Sequence, residues 1–154
     1  MSHYTTAKVP IRSEEDLIAG LVAAGIPRNA IESHETPVNL YGYRGDKRTD
    51  VAHVVVRRQA VNDLSGGSSN DVGFVRLPDG SWQEIVSDYD QSWWVRGRKA
   101  RETVMQGATV ARLVREAAGS GVQLEATYTT KNGKRVASLR LADPGRSRAR
   151  QRTR

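Results

Sequence analysis

In the first part of the chain, the pattern of apolar and polar residues predicts a strand followed by a helix. Residues 3–12 are rich in Thr, Tyr, Val and Ile, which favours a strand, and Pro10 places that strand at an edge or an end. Ser13 and Asp16 then fit a capping box at the start of a helix. The apolar stripe of this helix consists of Leu17, Ile18, Leu21 and Val22. A glycine and a proline within residues 25–27 predict its end.

The middle of the chain has the pattern of strands separated by turns. Residues 29–43 predict one or two short strands, and residues 51–61 are a β-branched run that predicts another. Residues 62–70, NDLSGGSSN, are small, polar and glycine-rich and predict a flexible connection. Residues 71–90 predict a hairpin, because residues 77–81 place Pro and Gly where a type I turn with a glycine bulge requires them.

The last part of the ordered pattern is a helix followed by a second hairpin. Residues 92–118 have helical spacing, although Gly97 and Gly107 weaken it. The buried stripe of this helix would be Val104, Ala108, Ala111, Val114 and Ala118. Asn132-Gly133 is the strongest short turn signal in the chain and predicts a hairpin over residues 122–142. The residues expected to face inward are Val122, Leu124, Ala126 and Tyr128, answered by Ala137, Leu139 and Leu141.

This order of elements predicts an α+β fold. The most economical arrangement is a mostly antiparallel sheet with two helices packed on one face. We expect one domain over residues 1–142, followed by a basic C-terminal tail over residues 143–154.

Charge and composition change this picture only at the end of the chain. The 154 residues carry a net charge of +7, and the five arginines of the tail account for all but +2 of it. Cysteine is absent, which excludes disulfides and thiolate metal sites. No apolar run is long enough for a membrane helix, and the N-terminus lacks the pattern of a secretory signal. We therefore expect a soluble cytoplasmic protein with no membrane partner and no cofactor.

Two segments resemble a known family. The opening MSHYTTAKVPIRSEEDLIAGLVAAG is similar to the start of the hypothetical chloroplast reading frame thirty-five family of cyanobacteria, plastids and some other bacteria, whose members begin Met-Ser-His-aromatic. The hairpin DVGFVRLPDGSWQEIVSDYD resembles that family's Asp-aliphatic-Gly-Phe segment, glycine turn and closing aspartate. The order of elements is similar over residues 1–142, whereas NDLSGGSSN and the tail depart from the family pattern. The family has no established reaction, so the resemblance implies a fold and a small soluble protein and transfers no catalytic residue.

A tryptophan pair beside basic residues is the first candidate for a contact surface. Trp93 and Trp94 are adjacent, and neighbours on a helix lie about 100° apart, so both cannot easily face inward. The basic residues that follow are Arg96, Arg98, Lys99 and Arg101. Tryptophan beside arginine is the composition of a protein-binding hot spot and also suits base stacking on nucleic acid. The first hypothesis is therefore a non-enzymatic accessory protein that binds another protein.

The arginine tail supports an alternative hypothesis, an association with nucleic acid. Its basic residues are Arg146, Arg148, Arg150, Arg152 and Arg154. If all five contacted phosphates, the logarithm of the binding constant would fall with log salt at a slope of about −4.5. The residues between them give no means of reading bases. This hypothesis combines the tail with the basic patch at residues 94–101, and a disordered solubilising end is the other interpretation.

Candidate catalytic and metal-binding residues are few. Asp88 and Asp90 are best interpreted as the end of a strand and the cap of the next helix. His3, His34 and His53 could bind zinc with an aspartate on ligand type, but His3 is better interpreted as a locally bonded strand residue and His53 as a core or edge histidine. The chain has neither a nucleophile elbow nor a phosphate-binding loop. A metal-dependent enzyme is therefore the third hypothesis, and no catalytic or metal residue is assigned.

Overall fold

The chain folds into two compact units, Met1–Thr109 and Val110–Arg154. The structure is a computed structural model that describes residues 4–65, 69–88, 94–95 and 98–142. Nine strands and three α-helices are described, together with one turn of 3-10 helix at Arg28–Ala30, and they establish the predicted α+β class. The predicted domain over residues 1–142 stays a prediction, and the tail at 143–154 lies outside the described residues.

The first unit is built on a five-stranded antiparallel sheet with the order β1-β5-β4-β3-β2. Its strands are β1 (Tyr4–Val9), β2 (Ile31–Tyr41), β3 (Lys47–Val56), β4 (Val72–Arg76) and β5 (Trp82–Ser87). Pro37 lies in β2, which forms one edge of the sheet and can therefore accept a residue without an N–H.

The first helix, α1 (Glu14–Ala24), begins and ends as its sequence predicts. The Asp16 N–H donates to Ser13 Oγ at 3.1 Å, which caps the N-terminus. Gly25 adopts the left-handed conformation with φ of 110°, and its N–H and that of Ile26 bond back to the last helical turn. This is the Schellman arrangement that a glycine permits.

A second helix, α2 (Arg58–Ser65), replaces the end of a predicted strand and the start of a predicted flexible connection. The strand β3 stops at Val56 instead of continuing to residue 61. The N–H of Arg58 donates to Asp71 Oδ1 at 2.7 Å. Local sequence does not reveal this helix, because the side chain that caps it lies 13 residues further along the chain.

The hairpin of β4 and β5 has the predicted turn. The Gly80 N–H donates to the Leu77 carbonyl at 2.9 Å, and the Leu77 N–H donates to the Ser81 carbonyl at 2.8 Å. Gly80 has φ of 85°, a backbone conformation that favours glycine because glycine has no Cβ to clash with the backbone. The Ser81 hydroxyl and N–H both bond Asp79, and they hold the pKa of that carboxyl well below its usual range.

The third helix, α3 (Ala100–Gly119), begins later than predicted. Two short strands, β6 (Trp94–Val95) and β7 (Arg98–Lys99), precede it and pair with each other. The β-branched and aromatic residues of β6 favour this extended pairing over the helical start that was expected at residue 92.

Buried apolar residues of the first unit form two clusters. The larger one includes Val54 and Val56 of β3, together with residues of α1 and α3. The smaller one includes Ala52 and Val55 of the same strand. The helices α1 and α3 touch at Gly20 and Gly107, where a Cβ on Gly107 would lie 3.0 Å from the Gly20 Cα. Glycines at both positions allow this close approach.

A side-chain contact joins the two edge strands of the sheet. Tyr4 lies on β1 and Tyr41 on β2, at opposite edges, yet the Tyr4 hydroxyl donates to the Tyr41 carbonyl at 3.1 Å. The Tyr41 carbonyl also accepts the Asp71 N–H at 3.0 Å, so the end of β2 lies beside the start of β4. Arg48 lies over the Tyr4 ring at 5.4 Å and adds a cation–π contact.

The second unit contains the end of α3 and the hairpin of β8 (Leu124–Lys131) and β9 (Lys134–Leu141). Asn132 and Gly133 both have positive φ, 53° and 75°, as the predicted two-residue turn requires. Leu124 pairs with Leu141 and Ala126 with Leu139, so these residues, which were expected to face inward together, lie on one face. None of the described helices in either unit is long and apolar enough to cross a bilayer.

Candidate functional site

The predicted patch of tryptophans and basic residues is only partly described. Trp93 and Arg96 lie outside the described residues. The backbone of Trp94 pairs with Lys99, and that of Val95 pairs with Arg98, so the segment forms a short antiparallel ladder. The Lys99 side chain is exposed. The patch as a binding surface stays a prediction.

Arg101, the last residue of that patch, is held by a buried carboxylate. Its Nε and Nη2 donate to Glu84 Oε1 at 3.1 and 2.7 Å, and Nε also lies 3.2 Å from Oε2. The side chain of Glu84 is 1% exposed and that of Arg101 is 35% exposed. The hydrogen bonds that Arg101 donates to this carboxylate raise the pKa of Arg101. The guanidinium therefore attaches the first turn of α3 to the centre of β5.

The two described histidines lie on neighbouring strands of the sheet. His3 lies outside the described residues, whereas His34 and His53 lie on β2 and β3. Across residues 4–65, 69–88, 94–95 and 98–142, no three His, Asp or Glu side chains are grouped to hold a metal ion. Asp88 is exposed after the end of β5, and Asp90 and the five tail arginines lie outside the described residues.

The imidazole ring of His53 contacts the core through the buried side chain of Trp82. The ring meets that of Trp82 edge-on, with centroids 6.2 Å apart, and Nδ1 accepts the Arg76 N–H at 3.1 Å. Burial, with a smaller contribution from the Arg76 charge, lowers the pKa of His53. The imidazole is neutral in this arrangement because a protonated Nδ1 could not accept the hydrogen bond.

A polar cluster that the sequence did not predict lies where β2, β3 and β4 meet. Arg57 donates to both carboxylate oxygens of Glu32 at 2.8 and 3.0 Å and to Asp71 Oδ2 at 2.8 Å. His34 Nε2 lies 2.9 Å from Glu32 Oε1. The bond from Arg57 is the largest cause of the lowered pKa of Glu32.

Asp71 is the buried centre of this cluster. Its side chain is 1% exposed and accepts from Arg57, from the Arg58 N–H and from the Tyr41 N–H at 2.8 Å. The carboxylate thus joins α2 to β2, and Asn70 beside it accepts the Tyr43 N–H at 2.9 Å. Both carboxylate oxygens of Asp71 and both of Glu32 already accept hydrogen bonds. The cluster therefore binds elements of the fold together and presents no activated nucleophile.

The C-terminal hairpin has an open apolar face. Paired residues point to the same side and alternate along each strand, which separates the side chains of β8 and β9 into two sets. The apolar face consists of Leu124, Ala126, Tyr128, Ala137, Leu139 and Leu141. Leu139 is 36% exposed and Leu141 is 71% exposed. The expectation that this face is turned inward is therefore wrong at Leu139 and Leu141, whereas the other four residues of the face are half-buried.

Tyr128 adds an aromatic group to this face. Arg135 lies over its ring, with the guanidinium carbon 4.0 Å from the ring centroid. The signal for this surface is present in the sequence as the alternation of residues 124–141, but alternation does not reveal whether the apolar side is covered. Comparison with family models, with curated proteins and with solved structures gives no match for this chain.

Proposed function

We propose that this chain is a small non-enzymatic accessory protein that binds another protein through the apolar face of the hairpin β8–β9. The observation that carries the proposal is the exposure of Leu139 and Leu141, at 36% and 71%, on a face whose other members are also apolar. A hairpin of two strands is marginally stable in water unless something packs against it. A partner surface would supply that packing.

The composition of the face supports a protein as the occupant. Tyrosine and arginine are the residue types that contribute most often to protein-binding hot spots, and Tyr128 and Arg135 are already stacked. Burial of Leu141 on a partner would remove most of a leucine side chain from water, which contributes about 1.5 to 3 kcal/mol.

The charges around the face define the chemistry of the partner. The strand register places one charged residue, Arg135, on the apolar face, whereas Lys131, Lys134, Arg140 and Glu125 lie on the opposite face. A second copy of this chain would bring a second arginine to the contact, whereas a carboxylate would pair with Arg135. The partner is therefore a different protein with an apolar surface that carries a carboxylate opposite Arg135.

The contact can be located with a photo-crosslinking amino acid. Placed at Leu139, it faces the apolar side, and placed at Ser138 it faces the opposite side on the neighbouring residue. We expect one protein to be crosslinked in native cells from position 139 and not from position 138. The crosslinked surface of that protein should be apolar and carry a carboxylate.

Purified partner and chain then test the energetics by calorimetry. Leu139→Ser and Val136→Ser are matched, since the two residues are 36% and 38% exposed but lie on opposite faces. We expect Leu139→Ser to weaken binding about 5- to 30-fold, equivalent to about 1 to 2 kcal/mol. Equal losses in both variants, or self-association of the chain as the only complex formed, would refute the proposal.

Several sequence-based expectations accompany this function as proposals. The patch of Trp93, Trp94, Arg96, Arg98 and Lys99 would be a second contact surface. Two helices packed on one face of the sheet, the basic tail and a cytoplasmic location are likewise proposed. So is the relation to the chloroplast reading frame family, which the order of strands, helices and hairpins supports. The alternatives, nucleic-acid association through the tail and residues 94–101 and a metal-dependent enzyme, rest on sequence alone.

A further inference from the structure

The second face of the C-terminal hairpin carries hydrogen-bonding and basic side chains. This polar face consists of Glu125, Thr127, Thr129, Lys131, Lys134, Val136, Ser138 and Arg140. All of them except Glu125 are exposed. Three hydroxyls and three cations therefore make up most of this face, on a ribbon whose opposite side is largely apolar.

The tip of this face concentrates positive charge. Lys131 and Lys134 are directly paired across the two strands, on either side of the Asn132-Gly133 turn. Like charges directly opposite each other destabilise a strand pair. The single acid of the hairpin, Glu125, is at the other end of the ribbon, where it lies 3.6 Å from Arg140. A bound anion at the tip would remove the repulsion that the two lysines impose on the free protein.

The dimensions of the ribbon match a groove in DNA. Eight residues in each strand give a length of about 27 Å at 3.4 Å per residue. The major groove of B-form DNA is about 12 Å wide and admits a two-stranded antiparallel ribbon. Hydroxyls of Ser and Thr can bond to base edges there, while lysines and arginines at the margins contact phosphates.

We propose that the polar face of the hairpin binds duplex DNA in the major groove, with Lys131 and Lys134 contacting phosphates and the hydroxyls of Thr127, Thr129 and Ser138 facing the bases. The major groove of double-stranded RNA is too deep and narrow for such an element, so DNA is the occupant that the shape favours. This site is separate from the apolar face of the proposed function, and either can exist without the other.

Fluorescence anisotropy of the full chain with a labelled duplex of about 24 base pairs, more than two helical turns, tests the site. The decisive variant is Lys131→Gln with Lys134→Gln. Its matched control is Arg44→Gln with Lys47→Gln, which removes the same charge from the exposed tip between β2 and β3. Circular dichroism checks that both variants are folded.

The salt dependence gives the expected result a number. Each phosphate contact contributes about −0.9 to the slope of log binding constant against log salt, so loss of two contacts reduces the slope by about 1.8. Over the range from about 50 to about 200 mM salt, we expect this smaller slope in the Lys131/Lys134 variant and an unchanged slope in the control. Because the change is a difference between full-length chains, any contribution of the arginine tail cancels.

Three results would overturn the proposal. The first is an absence of binding to the DNA duplex at low salt. The second is the same slope in the Lys131/Lys134 variant as in the parent chain, which would assign any binding to the tail or to net charge. The third is an RNA duplex of the same length bound as tightly as the DNA. The apolar-face variant Leu139→Ser should keep its DNA binding, so failure here is distinguishable from failure of the proposed function.

Discussion

Replacement of Arg101 by leucine should destabilise the first unit far more than removal of a surface arginine. The substitution takes away the donors that the described residues give to Glu84, whose side chain is 1% exposed, and leaves that carboxylate buried in the sheet. Removal of one partner from a buried ion pair costs about 3 to 5 kcal/mol. Total stability of a domain this size is about 5 to 15 kcal/mol, so the change is a large part of it.

We expect Arg101→Leu to lower the free energy of unfolding by about 3 to 5 kcal/mol at neutral pH, because the buried Glu84 carboxylate loses its guanidinium partner.

Urea unfolding followed by tryptophan fluorescence measures this loss. The control is Arg112→Leu, an exposed arginine on the same helix, for which we expect a change within about 0.5 kcal/mol. The double variant Glu84→Leu with Arg101→Leu should recover most of the loss, because an apolar pair can replace a buried ion pair at little cost. A loss below about 1 kcal/mol at pH 7 for Arg101→Leu would refute the reasoning and return Arg101 to the exposed patch that the sequence predicted.

Three other predictions concern buried contacts of the first unit. Asp71→Ala removes an ion pair and two hydrogen bonds from backbone N–H groups, and it should lower the free energy of unfolding in urea by about 3 to 5 kcal/mol. Asp63→Ala, on the exposed side of α2, should change this free energy little, and equal effects of the two substitutions would contradict the prediction. Gly20→Ala forces a Cβ against the backbone of α3 and should lower the melting temperature, whereas Gly119→Ala, with open space around it, should not. Because the pKa of His53 is lowered in the folded state, the unfolded state takes up the proton first as pH falls, and stability is lost below about pH 6.5. His53→Gln should flatten that loss when unfolding is measured from about pH 7 to about pH 5.

The sequence alone determined the elements whose signals are local. The helix α1 follows from Ser13 and Gly25 at its two ends, and both caps are formed within a few residues of the groups they bond. The C-terminal hairpin follows from Asn132-Gly133, because that pair tolerates the positive φ angles that the turn needs. Backbone preferences of this kind act over three to five residues, and such a window is present in the sequence itself.

Only the tertiary structure decided the elements and sites that depend on distant partners. Residues 62–65 belong to the helix α2 because Asp71 accepts the N–H of Arg58, the first residue of that helix, from 13 residues further along the chain. Arg101 has the composition of an exposed patch, but a glutamate 17 residues earlier in the chain binds it. The alternation of β8 and β9 fixed which side is apolar, while the exposure of Leu141 depended on whether another layer covers that side. Burial and pairing over such separations are properties of the packed chain, since each requires the position of a group that no local pattern specifies.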